Sequence, residues 1–351
     1  MSCHNIPVFL PHAGCPHRCL FCDQHSISGT VHTPSPGEVR DYLEESLAQY
    51  PHDPAQTEIA FFGGSFTCMD LDYQTAMLEL GEEFVRRYGL KGIRLSTRPD
   101  GISPGIIRHL LDYPVQAVEL GAQSMCDRIL EQNRRGHTAA DTVQAARRIR
   151  QAGLELGLQM MVGLLGDTAQ TVWDTARALA DLNPDTVRIY PMVILKGTPA
   201  YALWQQGDYS IFSLEEGVQL CAGLLEFFEQ RQIRVIKLGL HASRQVEEQY
   251  AAGLYHPAFR ELCESRLYRQ GMFSQISRWK EKRGTVYVHP KGLSTCIGQK
   301  RENIIWLHRQ GMEIRVKPDH TLSRGKLLLC PEGSTKEEQG VAVKVIGAAG
   351  V

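Results

Sequence analysis

Three cysteines lie within eight residues near the start of the chain: Cys15, Cys19 and Cys22, in the stretch Gly-Cys-Pro-His-Arg-Cys-Leu-Phe-Cys-Asp at 14–23. A thiolate is both a nucleophile and a soft metal ligand. Three of them on one loop, just after a short apolar run at 6–10 that reads as a buried strand, can converge on one metal centre. Zinc sites usually draw four ligands from two separated pairs, which is not the pattern here. Iron–sulfur cubanes are held by cysteine thiolates, normally four. Three ligands leave one iron open, and an open coordination position is where chemistry happens. The other readings of the loop are a zinc site, or a disulfide pair with a spare thiol.

The spacing C-x3-C-x2-C, with the aromatic Phe21 before the third cysteine, resembles the signature of the radical S-adenosylmethionine (SAM) superfamily. That resemblance implies a 4Fe–4S cluster whose open iron chelates the amino and carboxylate groups of SAM. It also implies that one electron cleaves SAM to methionine and a 5'-deoxyadenosyl radical.

A loop of this kind has to be carried by a scaffold, and the rest of the chain alternates strand and helix. Strands are expected at 57–62, 92–96, 115–120, 156–162, 186–190 and 233–238, with helices at 37–49, 71–88, 104–112, 141–152, 168–182 and 214–231. Repeated βα units with short apolar strands argue for a parallel sheet covered by helices. The expected fold class is α/β: a partial or near-complete parallel (β/α) barrel of the radical SAM type, with a small C-terminal α/β extension. The boundaries expected are 1–240 for the barrel and 241–351 for a basic extension that serves as a substrate or lid domain.

In such a barrel, functional residues gather at the C-terminal ends of the strands. Gly63 and Gly64 end the second expected strand, where paired glycines let backbone approach a ligand closely. Ser96 and Arg98 end the third, Glu119 and Gln123 flank a glycine after the fourth, and Gly163 follows the fifth. With the superfamily resemblance, Gly63 and Gly64 are expected at the methionyl ammonium. Ser96, Arg98, Glu119 and Gln123 are expected at ribose and carboxylate, and Gly163 at adenine. No catalytic residue beyond the cluster is named.

The resemblance narrows further. F-G-G-S-F, S-T-R-P-D, V-E-L-G-A-Q-S, R-R-G-H-T at 134–138, M-M-V-G-L-L-G, and R-I-Y-P with K-G-T-P-A-Y occur in order over roughly 5–240. They are similar to the radical SAM domain of the catalytic subunit of Elongator and its stand-alone bacterial relatives. In Elongator the substrate is wobble uridine in tRNA. Two departures limit what carries over. Elongator's cysteine spacing is wider, and its C-terminal acetyltransferase domain supplies the acetyl group. The last part of this chain holds no acetyl-CoA loop of the R/Q-x-x-G-x-G/A type. It resembles instead the short extension of the bacterial relatives, through Y-H-P-A-F-R-E at 255–261 and H-P-K-G-L-S at 289–294.

The 351 residues are enough for one large domain or two ordinary ones. The start of the chain lacks the basic and apolar regions of a signal peptide, and no apolar run approaches a membrane span, so a cytoplasmic protein with reduced thiols is expected. Residues 1–230 carry 17 Lys and Arg against 28 Asp and Glu, a net of −11, and 231–351 carry 21 against 11, a net of +10, which sum to the overall −1. That asymmetry points to an anionic partner for the C-terminal part, RNA first, or to a basic face packed on the acidic part. The extension is expected to hold strands at 284–289, 313–316 and 341–346 and a helix at 301–310. Cys263, Cys296 and Cys330 are too far apart in sequence to read as a second cluster. The function expected is that of a radical SAM enzyme modifying an unidentified substrate, with tRNA foremost and flavodoxin or ferredoxin as electron donor. The alternatives are a radical SAM enzyme on a small metabolite, and a non-catalytic iron–sulfur RNA-binding protein.

Overall fold

Strands buried on both faces read as near-continuous apolar runs, and the main sheet is built from such segments. The structure, a computed structural model, describes residues 4–11, 13–16, 18–23, 32–49, 53–334 and 340–345. Strands β1 (His4–Phe9), β2 (Thr57–Phe62), β3 (Gly92–Thr97), β4 (Val115–Gln123), β5 (Glu155–Val162) and β6 (Thr186–Pro191) pair in parallel, each with the next. The sheet curls into an open partial barrel. Ile59, Ala60 and Phe61 of β2 and Val118 and Leu120 of β4 are essentially inaccessible.

Helices α1 (Pro36–Gln49), α2 (Leu71–Tyr88), α3 (Pro104–Leu111), α4 (Asp127–Gln132), α5 (Ala139–Gln151) and α6 (Ala169–Asp181) fill the connections. Their starts are encoded locally. Asp70 accepts from the amides of Asp72 and Tyr73, and Ser103 caps α3 with Pro104 in its first turn. Thr138 and Asp141 form a reciprocal capping box on α5. A cap of this kind stabilises a helix by about 1 kcal/mol. The helix α2 then turns Met77, Leu78 and Phe84 inward.

The fourth strand runs beyond the expected 115–120. Its register against β5 shifts between Leu120 and Gln123, so β4 continues through an irregular step and ends on Gln123 with φ 65°. Bulged steps re-aim side chains, and they are common beside functional sites.

Two compact units share the chain. The first takes Met1–Phe212 and Leu240–Tyr255, the second Ser213–Gly239 and His256–Ala349. After β6 the first unit adds β7 (Val193–Leu195) and α7 (Pro199–Gln206). The second unit begins with α8 (Leu214–Gln230) and β8 (Arg234–Leu238). The chain returns to the first unit for α9 (Arg244–Gln249) and β9 (Tyr250–Gly253), which pairs antiparallel with β7.

The rest of the second unit carries α10 (Phe259–Ile276), β10 (Arg283–Val288), α11 (Leu293–Ile297), α12 (Glu302–Arg309), β11 (Glu313–Pro318), β12 (Lys326–Pro331) and β13 (Val341–Lys344). Its mixed sheet has the order β11-β10-β12-β13. The expected strands near 284, 313 and 341 are present, and Ile346 lies outside the described residues. Neither α10 nor β12 was expected. The buried side of α10 includes Ser265 and Arg269, which breaks its apolar period, and β12 follows Arg324-Gly325 as a short run ending at Pro331. Arg269 is satisfied by Glu302 at 3.2 Å and lies over the Trp306 ring at 5.1 Å. Cys263, Cys296 and Cys330 are buried. Among the described residues no helix is long and apolar enough to cross a membrane.

Candidate functional site

The cysteine loop leaves β1 and is clamped from two sides. Toward β2, the Leu10 amide donates to the Phe62 carbonyl at 2.7 Å and the Ser65 amide to the Ala13 carbonyl at 2.8 Å. The two loops touch so closely that only glycine fits. A Cβ on Gly14 would stand 2.4 Å from the Ser65 carbonyl oxygen, and one on Gly64 would stand 2.5 Å from those of Leu10 and Ala13. Cys15 Sγ lies 3.3 Å from Ser65 Oγ.

On the other side, the Leu20 amide donates to the Asn133 carbonyl at 3.1 Å, and the Leu20 carbonyl accepts from the Ala200 amide at 3.0 Å. Leu20 is buried among Ile129, Leu164, Met192, Ile194 and Tyr209, with Phe21 packed against the same cluster. Asn133, wholly buried, donates Nδ2 to the carbonyls of Ile129 (2.8 Å) and Leu165 (3.0 Å) and accepts from the Leu165 amide at 3.2 Å. One residue therefore ties the end of α4 and the loop after β5 through its side chain and the cysteine loop through its backbone carbonyl.

Cys19 is buried, and Cys15 and Cys22 are half-buried. Among the described residues no three His, Cys, Asp or Glu side chains gather tightly enough to hold a single metal ion. A cubane makes a different demand, because each cysteine binds its own iron.

The buried side of Cys19 faces a cation. Arg135, 7% exposed, directs Nη1 to Cys19 Sγ at 3.1 Å and Nη2 to the Gly121 carbonyl at 2.6 Å. Beside it are three buried polar atoms with no hydrogen-bond partner among the described residues: Arg135 Nε, Gln123 Oε1 and His137 Nδ1. His137 Nε2 lies 3.2 Å from the Ala122 carbonyl, so that nitrogen carries the proton and Nδ1 is left as an acceptor. Burial, with Arg135 and Arg98 nearby, pushes the His137 imidazolium down to about 4, so the ring is neutral at neutral pH. Buried orphans are costly, and they mark a place where a polar group is missing. The donor set and the orphans together fit a thiolate-held cluster with a polar ligand beside it.

The other expected positions are arranged as follows. Gly63 has φ 92° at the turn after β2. Ser96 Oγ donates to the Phe61 carbonyl at 3.5 Å. Arg98 makes a two-pronged pair with Asp100 at 3.0 and 2.9 Å. Burial works against the Arg98 charge and the Asp100 carboxylate outweighs it. Glu119, 1% exposed, receives Arg188 Nε at 2.6 Å and Nη2 at 2.9 Å, with Gln159 Nε2 at 3.0 Å. Burial opposes its ionisation, and Arg188 with Arg94 overrides it, holding the carboxyl below its ordinary value. Glu119 thus fixes Arg188, whose guanidinium lies 5.0 Å from the Phe62 ring just before Gly63.

Gly163, with φ 90°, donates its amide to Asp167 Oδ2 at 3.2 Å and accepts the Tyr209 hydroxyl at 2.6 Å. Burial pushes the Asp167 carboxyl up to about 6. Arg135, His137 and Asn133 were given no role from sequence. Arg135 and His137 lie in the R-R-G-H-T run and Asn133 just before it, and the use of Arg135 depends on a contact across 116 residues.

The comparisons with known proteins come to bear on this geometry. The profile described as the Radical SAM superfamily matches residues 9–179, and that of the Radical_SAM C-terminal domain matches 184–269. The chain is 27% identical over 245 residues to the tRNA uridine(34) acetyltransferase of Methanocaldococcus jannaschii, covering 59% of this chain and 45% of that protein. It is 24% identical to human Elongator complex protein 3, covering 86% of this chain and 58% of that one. The archaeal Methanocaldococcus infernus Elp3 structure superposes with a TM-score of 0.54 at 20% identity, covering 71% of this chain and 62% of that one. The chain spans about half the length of the curated relatives it matches.

Proposed function

We propose that this chain, which belongs to the radical SAM superfamily, carries a 4Fe–4S cluster on Cys15, Cys19 and Cys22 and uses it to modify tRNA. The observation that carries the reading is the cysteine loop itself: three cysteines after the first barrel strand, clamped by two neighbouring loops, with a buried guanidinium on Cys19. When bound there, the cluster supplies the electron that cleaves SAM reductively to methionine and a 5'-deoxyadenosyl radical.

The chain's own residues do the rest. Leu20 and Phe21 seat the loop on an apolar cluster that keeps water from the Cys19 side. Gly63 and Gly64 present backbone to the amino-acid end of SAM. Arg98, steadied by Asp100, and Ser96 stand at its carboxylate and ribose, and Gln123 offers its unpaired Oε1 to a hydroxyl. Glu119 acts by fixing Arg188. Gly163, pinned by Asp167 and Tyr209, lines the adenine site.

The substrate class rests on two supports. Relatives over the shared region are named tRNA uridine(34) acetyltransferases, and the C-terminal part is basic, with Lys282, Arg283, Arg315 and Lys317 exposed. Residues 241–351 would act as the substrate or lid domain, in a cytoplasmic protein that takes its electron from a flavodoxin or ferredoxin. Modified-nucleoside mass spectrometry of tRNA from cells with and without the gene tests the substrate. A nucleoside lost on deletion and restored by the wild-type gene is expected; unchanged tRNA nucleosides would shift the reading to a small-metabolite substrate.

A further inference from the structure

We infer that Arg135 is a positioning residue that sets the reduction potential of the cluster by hydrogen-bonding the sulfur of Cys19. The inference rests on the reading of Cys19 as a cluster ligand. Arg135 Nη1 stands 3.1 Å from Cys19 Sγ, and both residues are 7% exposed. The fork cannot swing away, because Nη2 is anchored on the Gly121 carbonyl at 2.6 Å. Gly121 leaves the necessary room, since a Cβ there would lie 3.3 Å from that nitrogen. The backbone is held as well: Arg134 (φ 55°) and Gly136 (φ 68°) are both left-handed, and the Arg135 amide donates to the Leu130 carbonyl at 3.0 Å.

Among the described residues no carboxylate forms an ion pair with Arg135. The contrast with Arg94, Arg98 and Arg188 is direct, since each of those meets Glu or Asp. A buried cation without a counter-charge is costly. The anion that Arg135 faces is the Cys19 sulfur, and through it the negative charge a thiolate-bound cluster carries. Adding one electron makes that charge more negative, with no proton transferred, and a fixed N–H donor stabilises the reduced state more than the oxidised one. Hydrogen bonds to charged groups contribute enough to change the reduction equilibrium about tenfold, which is 59 mV for a one-electron couple.

The test is a redox titration of the reconstituted holoprotein without SAM, monitored by electron paramagnetic resonance, with dithionite as the electron source. With four irons per chain confirmed, the midpoint of Arg135→Gln should fall by about 59 mV, a tenfold loss in the reduction equilibrium. Arg135→Lys, which keeps the charge and loses the fork, should fall between that value and wild type. A wild-type midpoint in fully loaded Arg135→Gln overturns the inference. Should that variant not load, a wild-type midpoint in Arg135→Lys overturns it instead. Failure of both to load, with far-UV circular dichroism unchanged, also overturns it, because Arg135 would then serve assembly. A wild-type chain that binds no cluster would strike the reading of Cys19, whatever Arg135 does.

Discussion

His137 and Asp167 titrate over the same pH range with opposite effects on stability. The His137 imidazole is held down to about 4 by burial and by Arg135, so between pH 4 and 6.5 the unfolded chain binds the extra proton and stability falls as pH falls. The Asp167 carboxyl is pushed up to about 6 by burial, so above pH 3.8 the folded chain holds the extra proton and stability falls as pH rises toward 6. A tenfold change in proton affinity is worth about 1.4 kcal/mol, so each group contributes on the order of 3 kcal/mol, and in the wild type the two offset. Denaturant unfolding of the cluster-free chain, taken as each variant's difference from wild type between pH 4 and 6.5, separates the two contributions. His137→Gln should lose stability as pH rises through that window, and Asp167→Asn as pH falls through it. Parallel curves for the two variants would contradict the assignment. At this scale the sequence made the cysteines plain, because short-range spacing alone defines them. Arg135 was not legible, since nothing in R-R-G-H-T shows that the second arginine meets a sulfur 116 residues earlier.

At the scale of elements, the site depends on connections rather than on strands. Asn133 joins α4, the loop after β5 and the cysteine loop, and its side chain is wholly buried. Asn133→Ala leaves the Leu165 amide and carbonyl without their partner and opens a cavity, which should cost about 3 kcal/mol. Thermal unfolding would show the loss, and an unchanged midpoint would show that the three loops are held by other means. The parallel strands themselves were readable, because apolar runs bounded by glycine and proline have few other structures available. The step at the end of β4 was not, since a register shift follows from pairing with β5 and leaves no periodic mark. Glu119 was read as a ligand-facing polar group. Its burial against Arg188 and Arg94 depends on three strands brought together by the fold.

Over the whole chain, the functional account rests on a partial barrel that carries the cysteines and a basic unit of separate architecture. The barrel was foreseen from the βα rhythm. The interleaving of the two compact units was not, because α8 and β8 continue that rhythm while clustering with the later segments. The central claim concerns the barrel, and anaerobic incubation of the reconstituted chain with dithionite and SAM tests it most directly. The prediction is 5'-deoxyadenosine from the wild type, with none from Cys19→Ala, which should also fail to assemble the cluster. An intact 4Fe–4S spectrum with no 5'-deoxyadenosine from the wild type, or a normal yield from Cys19→Ala, would contradict it.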